Sequence, residues 1–414
     1  MVRPRVLTLA LCAGLGMFTG RATADTLRIA NWNVTNYAGG RVPEFQTALY
    51  AEFDGRSLRP DVLIGQEFTS AAAVASFVQL LNTAAGSPGD WVAATFVDGP
   101  DTDSALFYRT TRVQPATELS PSGVTIVAVG GPAPNHPRNI MRFDLVLSGG
   151  TSAECRLAVY STHMKAGTTA SDLERRLLEA QRIRADAAAL PPGWFFLLGG
   201  DLNIQTSAQA AYGALVGPQV GDAGRFHDPI ATPGSWNNNG AFRFVHTQDP
   251  VGPGGMDDRH DQLLLCAALL DGAGLDYIGN PAVPYSTTTW NDPHHSYRAW
   301  GNDGTSFNQA LTISGNTMVG PVIAQALVTA AAGAGHLPVF LDLRVPPCRF
   351  DVACDGRVDP ADGAPGAECL SGPAGGPGWA GPSQFCRDYF DADADGDVDL
   401  ADLAALQLEV AALP

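Results

Sequence analysis

An α/β domain followed by a small acidic tail is the fold the sequence predicts, and three observations carry that prediction. Short apolar runs alternate with helically spaced stretches from Thr26 to Leu343. Polar residues recur where the apolar runs end, which is where α/β folds place their sites. Gly 46 and Pro 30 among 414 residues fit a loop-rich chain and count against a helical bundle. At 45% hydrophobic and 16% charged, the chain can bury a sizeable core and is too apolar for a disordered one.

In chain order, Arg3 and Arg5 precede the apolar stretch Val6 to Phe18, which is too short to span a bilayer. Ala22-Thr23-Ala24 then supplies a small-residue cleavage site. Residues 1–24 therefore read as a signal peptide cleaved after Ala24, and the mature protein is expected to be secreted. No later segment approaches 18 uninterrupted apolar residues, so no transmembrane segment is expected.

Strands are expected at Leu27–Val34, Asp61–Gln66, Ser104–Tyr108, Ile140–Leu147, Cys155–Thr162, Trp194–Gly199, Asp261–Leu265 and Val339–Leu343. Helical spacing marks Ala71–Leu81 and Ser171–Ala189, with Asp172 and Glu174 favouring the N-terminus of the second. Pro346-Pro347 closes the main domain, expected at 25–346, and a separate tail runs over 347–414. Of the six cysteines left after the signal, four crowd into that tail, where cross-links help a small domain most; Cys155 and Cys266 sit in apolar runs as buried thiols. The net charge of −17 lacks the diffuse basic footprint of a protein that grips duplex nucleic acid through many phosphates. A bound metal can still supply positive charge locally.

Five segments carry polar residues at strand ends: Asn31-Trp32-Asn33-Val34, Gly65-Gln66-Glu67, Ser161-Thr162-His163-Met164-Lys165, Gly200-Asp201-Leu202-Asn203, and Arg259-His260-Asp261 with Gly335-His336-Leu337-Pro338-Val339. Each alone is a weak signal. Together and in this order they resemble the endonuclease/exonuclease/phosphatase superfamily over roughly residues 27–343, on the segments YSTHMKAG, LLGGDLNI, RHDQLLL and GHLPVFLDL. The resemblance implies a deoxyribonuclease I-like fold, a two-sheet β-sandwich flanked by helices. It also implies a metal-dependent hydrolase of phosphate esters.

The residue types suit that chemistry. A phosphodiester is anionic, so its hydrolysis needs a cation, a base for the water and an acid for the leaving oxygen. Mg²⁺ takes hard oxygen ligands and keeps several waters. By resemblance, Glu67 is the principal ligand for Mg²⁺ (or Mn²⁺ or Ca²⁺), with Asn33 beside it. Asp201 orients or deprotonates the attacking water, or binds a second ion, and Asn203 holds the phosphate. His336 is expected to pair with Asp261, which fixes its tautomer and raises its basicity; His163 reaches the phosphate as acid or donor, with Asp103 as a possible orienting group. The family's closing motif reads Ser-Asp-His where this chain has Ala334-Gly335-His336, which weakens the case for a second metal unless Asp257 or Asp258 compensates. Asn302-Asp303-Gly304 reads as a type I′ turn, and Arg138 is a phosphate or surface residue.

In the tail, Asp391, Asp393, Asp395, Asp399 and Asp402 fall at loop positions 1, 3, 5, 9 and 12, with Gly396 at 6 and Asp397 at 7. That is the spacing of an EF-hand calcium loop. With Asp at the last position and an apolar helix after it, the segment resembles a type I dockerin. The resemblance implies bound Ca²⁺ and a cohesin-like or cell-surface partner. An earlier candidate loop at Asp351–Asp362 is degenerate.

The leading reading is thus a secreted, monomeric extracellular nuclease acting on a phosphate-ester substrate, nucleic acid among the candidates. A sphingomyelinase or other phospholipid phosphodiesterase, and a phosphomonoesterase, are the alternatives within the same chemistry. A catalytically impaired exported binding protein is the alternative outside it.

Overall fold

The computed structural model describes residues 25–148, 153–252, 254–333, 335–345, 369–371, 382, 384–392 and 396–411. The expected signal peptide, the degenerate first loop, Cys348, Cys354, Asp393 and Asp395 lie outside the described residues.

Two sheets form the body. The first carries β1 (Asp25–Tyr37), β2 (Val62–Phe68), β3 (Trp91–Ala93), β4 (Asp103–Arg109), β12 (Asp276–Tyr277), β13 (Arg298–Ala299) and β14 (Val339–Val345), in the order β12-β14-β1-β2-β4-β3 with β13 on β14. The second carries β5 (Val113–Pro115), β6 (Val124–Ala128), β7 (Ile140–Leu147), β8 (Arg156–His163), β9 (Phe195–Asp201), β10 (Phe226–His227) and β11 (Asp261–Cys266), in the order β10-β11-β9-β8-β7-β5 with β6 on β7. This is the expected two-sheet sandwich, and all eight expected strands are present with ends shifted by a few residues.

Alternation along β1 shows how the layers assemble. Leu27 and Ile29 pack into the core between the sheets, together with Ile64, Leu106, Val159, Leu197, Leu263 and Leu341. Ala30, Trp32 and Val34 point the other way, onto α1 (Val42–Tyr50), α2 (Ala71–Thr83) and α5 (Gly320–Ala331). On that outer face Tyr37, Phe45, Phe68 and Phe77 meet edge to face, with centroids 5.1 to 5.5 Å apart. Helices α3 (Ala170–Ala188) and α4 (Ala210–Val216) cover the second sheet. Helix α3 opens on a capping box: Thr169 accepts from the Asp172 backbone while the Asp172 side chain accepts from Thr169.

One pair in each sheet runs parallel, β1 with β2 and β8 with β9, each joined through a helix. Both pairs end towards the same edge of the sandwich. Where they end, the sheets approach closely: a Cβ on Gly199 would lie 2.5 Å from Ile64 Cδ1. Glycine there leaves room for the tip of the Ile64 side chain.

In the tail, α6 (Gln384–Phe390) and α7 (Leu400–Ala411) enclose a small core of Cys369, Cys386, Tyr389, Phe390 and Val398. A disulfide joins Cys369 to Cys386. Cys155 and Cys266 are buried and form no disulfide among the described residues.

Candidate active site

The ends of the two parallel pairs deliver Asn33, Glu67, His163 and Asp201 to one place. Register does this: in the second sheet His163 lies beside Asp201, and Asp201 beside Asp261 at the start of β11. In the first sheet β14 starts beside Asn31, and His336, three residues before it, lies alongside the last part of β1, its carbonyl accepting from Trp32 Nε1. A polar layer under the site joins the sheets, since Gln66 Nε2 donates to Asn31 Oδ1 (2.8 Å) and Ser161 Oγ (3.2 Å), and Ser161 Oγ to Ser104 (2.9 Å).

Asn33 ties the carboxylates together. Its Nδ2 donates to Glu67 Oε1 (2.9 Å) and Asp201 Oδ2 (3.1 Å). It stands beside Glu67 as expected, but its oxygen accepts the Thr35 N–H (3.0 Å). So Asn33 bridges both acids through its amide nitrogen, while its oxygen faces the Thr35 N–H. Glu67 sits at φ +66°, in the left-handed region, where a break in register between Gly65 and Phe68 turns its side chain into the cleft. There it also accepts the Asn36 N–H at 2.8 Å.

Four contacts from two imidazoles close the site. His163 Nε2 is 3.3 Å from Asp201 Oδ2, and its Nδ1, 3.6 Å from Glu67 Oε1, has no hydrogen-bond partner. His336 Nε2 is 3.5 Å from the same Asp201 oxygen. His336 Nδ1 meets Asp261 Oδ2 at 2.7 Å, the pairing expected from the motif. Asp103 does not orient His163: no ion pair joins them, and its own carboxyl is pushed up to about 6 by burial and by Asp98.

The environments drive the two histidines apart. Burial lowers His163, only partly offset by Asp201, so its neutral ring is favoured. Burial works the same way on His336, but Asp261 and Asp201 outweigh it and raise the ring to about 10. Asp201 stays well below the usual carboxylate range: burial opposes this, and His163, His336 and His260 overcome it. Glu67 and Asp201 supply hard carboxylate oxygens of the kind Mg²⁺ or Mn²⁺ takes, here bridged by the Asn33 amide, with the unpaired His163 nitrogen beside Glu67.

Sequence reasoning missed the supports. Thr247 Oγ1 donates to Asp261 Oδ2 (2.7 Å), Trp32 Nε1 donates to the His336 carbonyl (3.0 Å), and Gln248 pairs through its backbone with His336. Arg259 of the Arg-x-Asp motif is fully buried and bidentate to Asp228 (2.8 and 2.9 Å). Thr247, Gln248 and Asp228 lie in a stretch without periodicity or motif, so nothing in the sequence marks them. Asn203 stands at the rim at φ +51°, with Nδ2 spent on the Met164 carbonyl (3.1 Å).

Other expectations are corrected. Asn302-Asp303 is not a type I′ turn, since neither residue has positive φ. Both are buried struts: Asn302 donates to the Arg243 and His246 carbonyls, and Asp303 accepts from Thr305 and Thr317. Arg138 spends its guanidinium on Asp101 (3.0 Å), Thr102 and the His163 carbonyl. At Gly335 no carboxylate fits, because a Cβ would lie 2.2 Å from the Ala331 carbonyl and 2.7 Å from Thr35 Oγ1.

The loop after His163 is clamped from below by α3. Arg176 donates to the Lys165 (2.5 Å) and Gly167 (2.8 Å) carbonyls, and Glu179 accepts the Lys165 N–H (3.1 Å). Glu179 is fully buried with Oε1 unpaired, and burial pushes its carboxyl from 4.5 up to about 8. The folded chain therefore holds this proton where the unfolded chain has lost it. Its stabilising contribution is complete below about 4.5 and lost as pH rises through about 8, on the order of a few kcal/mol. Glu179→Gln should flatten the fall in Tm between pH 5 and pH 8, measured by thermal melts in matched buffers. An unchanged slope would rule this out.

No family model matches the chain, and no curated protein matches it. Solved structures do. An endonuclease/exonuclease/phosphatase family protein from Bacteroides thetaiotaomicron is 14% identical, with 77% of this chain and 95% of that one covered at a TM-score of 0.42. A humanized TDP2 of D. rerio is 15% identical, with 77% and 98% covered at 0.42. A mannosyl-6-phosphatase of Bacteroides thetaiotaomicron is likewise similar, at 15% identity, 77% and 99% coverage and a TM-score of 0.41.

Proposed function

We propose that this chain is a secreted, metal-dependent phosphoric ester hydrolase, most specifically an extracellular nuclease. The observation that carries the reading is the convergence of Glu67, Asp201, His163 and the His336–Asp261 pair from two sheets onto one cleft. A divalent ion such as Mg²⁺, Mn²⁺ or Ca²⁺ would be held by Glu67 and Asp201, and would neutralise charge developing on the phosphate. Asn33 keeps the two acids aligned. Asp201, between both imidazoles, orients the attacking water for in-line attack, and the neutral His163 ring can take its proton. As the ester P–O bond breaks, His336, held protonated by Asp261, would give a proton to the leaving oxygen. Asn203 lies at the rim, where its amide Nδ2 would donate to the phosphate by exchanging its bond to the Met164 carbonyl.

The acidic body favours substrates that need few basic contacts, such as single strands, short oligonucleotides or small phosphodiesters, over long duplexes. Residues 1–24 would direct export. In the tail, Asp391, Asp393, Asp395, Asp397, Asp399 and Asp402 would hold Ca²⁺ and present a dockerin-like face to a cohesin-like or cell-surface partner. Three of them support this, since oxygen atoms of Asp397, Asp399 and Asp402 lie within 4.8 Å of one another. No helix among the described residues is long and apolar enough to cross a membrane.

The test is turnover by the full chain of bis-p-nitrophenyl phosphate, single-stranded and plasmid DNA, RNA and sphingomyelin, with Mg²⁺ and with EDTA. Cleavage of nucleic acid that EDTA abolishes is the expected result. A folded protein inert on all of them would instead favour an exported binding protein.

A further inference from the structure

The segment that delivers Asp261 carries a histidine that the proposed chemistry leaves idle. His260 is 7% exposed, and neither of its ring nitrogens has a hydrogen-bond partner. Unpaired buried polar atoms are rare, and each one needs an explanation. Acids face this ring. Its Nε2 stands 3.6 Å from Asp258 Oδ1, too far for a hydrogen bond. It is close to the separation of two ligands on one ion, which at bond lengths near 2.1 Å is about 3 to 3.5 Å.

The surroundings point to a cation. Asp258 is buried and Oδ1 also accepts from Asn237 Nδ2 (3.0 Å). Asp249, on the same rim, has a buried Oδ1 with no partner. Its carboxyl is raised by burial and by Asp258, against the pull of His336 and His260; Asp257 is raised by burial, Asp258 and Asp249. Among the described residues no lysine or arginine pairs with any of these three acids. The backbone of Gln248 bridges to both Asp258 and His336, so the group lies against the catalytic cleft, on the side where Gly335 offers no carboxylate.

We propose that His260, Asp258 and Asp249 form a second cation site, separate from Glu67, that takes a divalent transition ion such as Mn²⁺, Co²⁺ or Zn²⁺. An imidazole ligand selects these over Mg²⁺ and Ca²⁺. His260 and Asp258 are placed as the two protein ligands, and Asp249, whose carboxyl feels both of them, stands nearby as an additional negative charge, with water completing the ion's shell. The proposal does not depend on which ester is hydrolysed, or on hydrolysis at all.

Co²⁺ is the probe, titrated into the full chain and followed by visible absorption, calorimetry and Tm. Glu67→Gln removes the principal ligand of the catalytic ion, and it should still bind Co²⁺ with imidazole-type absorption and a rise in Tm. Adding His260→Gln should remove that ion or weaken it at least tenfold. Asp258→Asn should weaken it comparably, and stands in if the histidine variant fails to fold. Equal Co²⁺ affinity and stoichiometry in folded His260→Gln and Asp258→Asn proteins would overturn the site while leaving the hydrolase reading intact. Loss of Co²⁺ in those variants from a protein inert on every phosphoester would do the reverse.

Discussion

Glu67→Ala is expected to abolish metal-dependent turnover, lowering kcat/KM about a thousandfold or more, because a catalytic cation contributes several kcal/mol to the transition state. Glu67 is the acid that the bend of β2 aims into the cleft, and Asn33 and Asn36 fix both its oxygens. Alanine takes away the charge and releases both donors. Glu67→Gln keeps an acceptor for only one of these two donors and turns an amide NH2 toward the other, so its melting temperature should fall modestly while activity falls with the lost charge. Mg²⁺ titrations with the phosphodiester assay check this. Activity within tenfold of the parent at saturating Mg²⁺ would mean that the ion is held elsewhere.

The second large effect is expected at His336. Its replacement by alanine should cost about 10² to 10⁴ in kcat, the range for a positioned proton donor or acceptor. Asp261→Asn should lose nearly as much, and the double variant little more, because the carboxylate acts through the ring. The pH profile separates the roles. Asp261 and Asp201 together hold His336 up at about 10 against burial. Without the charge on Asp261, the limb of the pH–rate profile that reports His336 should move to lower pH. Additive losses with an unmoved limb would show that the two residues do not work as a pair.

The central strands were legible because apolar runs and alternation survive in buried strands, as in Ile140–Leu147, which forms as expected, whereas the pairing of two sheets into a sandwich was expected only from the resemblance of the strand-end motifs. Helix α5 and the short edge strands were not. Helix α5 is apolar nearly all round, since Ile323, Ala324, Ala326, Leu327, Ala330 and Ala331 are buried, and that erases the periodicity of a surface helix. In the site, residues inside motifs were readable, and so was the His336–Asp261 pair. Thr247 and Gln248 were not, because their role comes from a loop folded back against His336 across almost ninety residues of chain. Asn33 was placed correctly, but which end of its amide faces the acids depends on the Thr35 N–H, which sequence does not reveal.

The bare α-carbon at position 199 has a reach beyond its own contacts. Each sheet owns only part of the constellation, so the gauge of the cleft is the separation of two slabs, which meet where Ile64 lies over Gly199. A methyl group there would first displace the tip of Ile64, and any sliding of one slab against the other would be felt by Glu67 and Asp201 together, since each is carried by a different sheet.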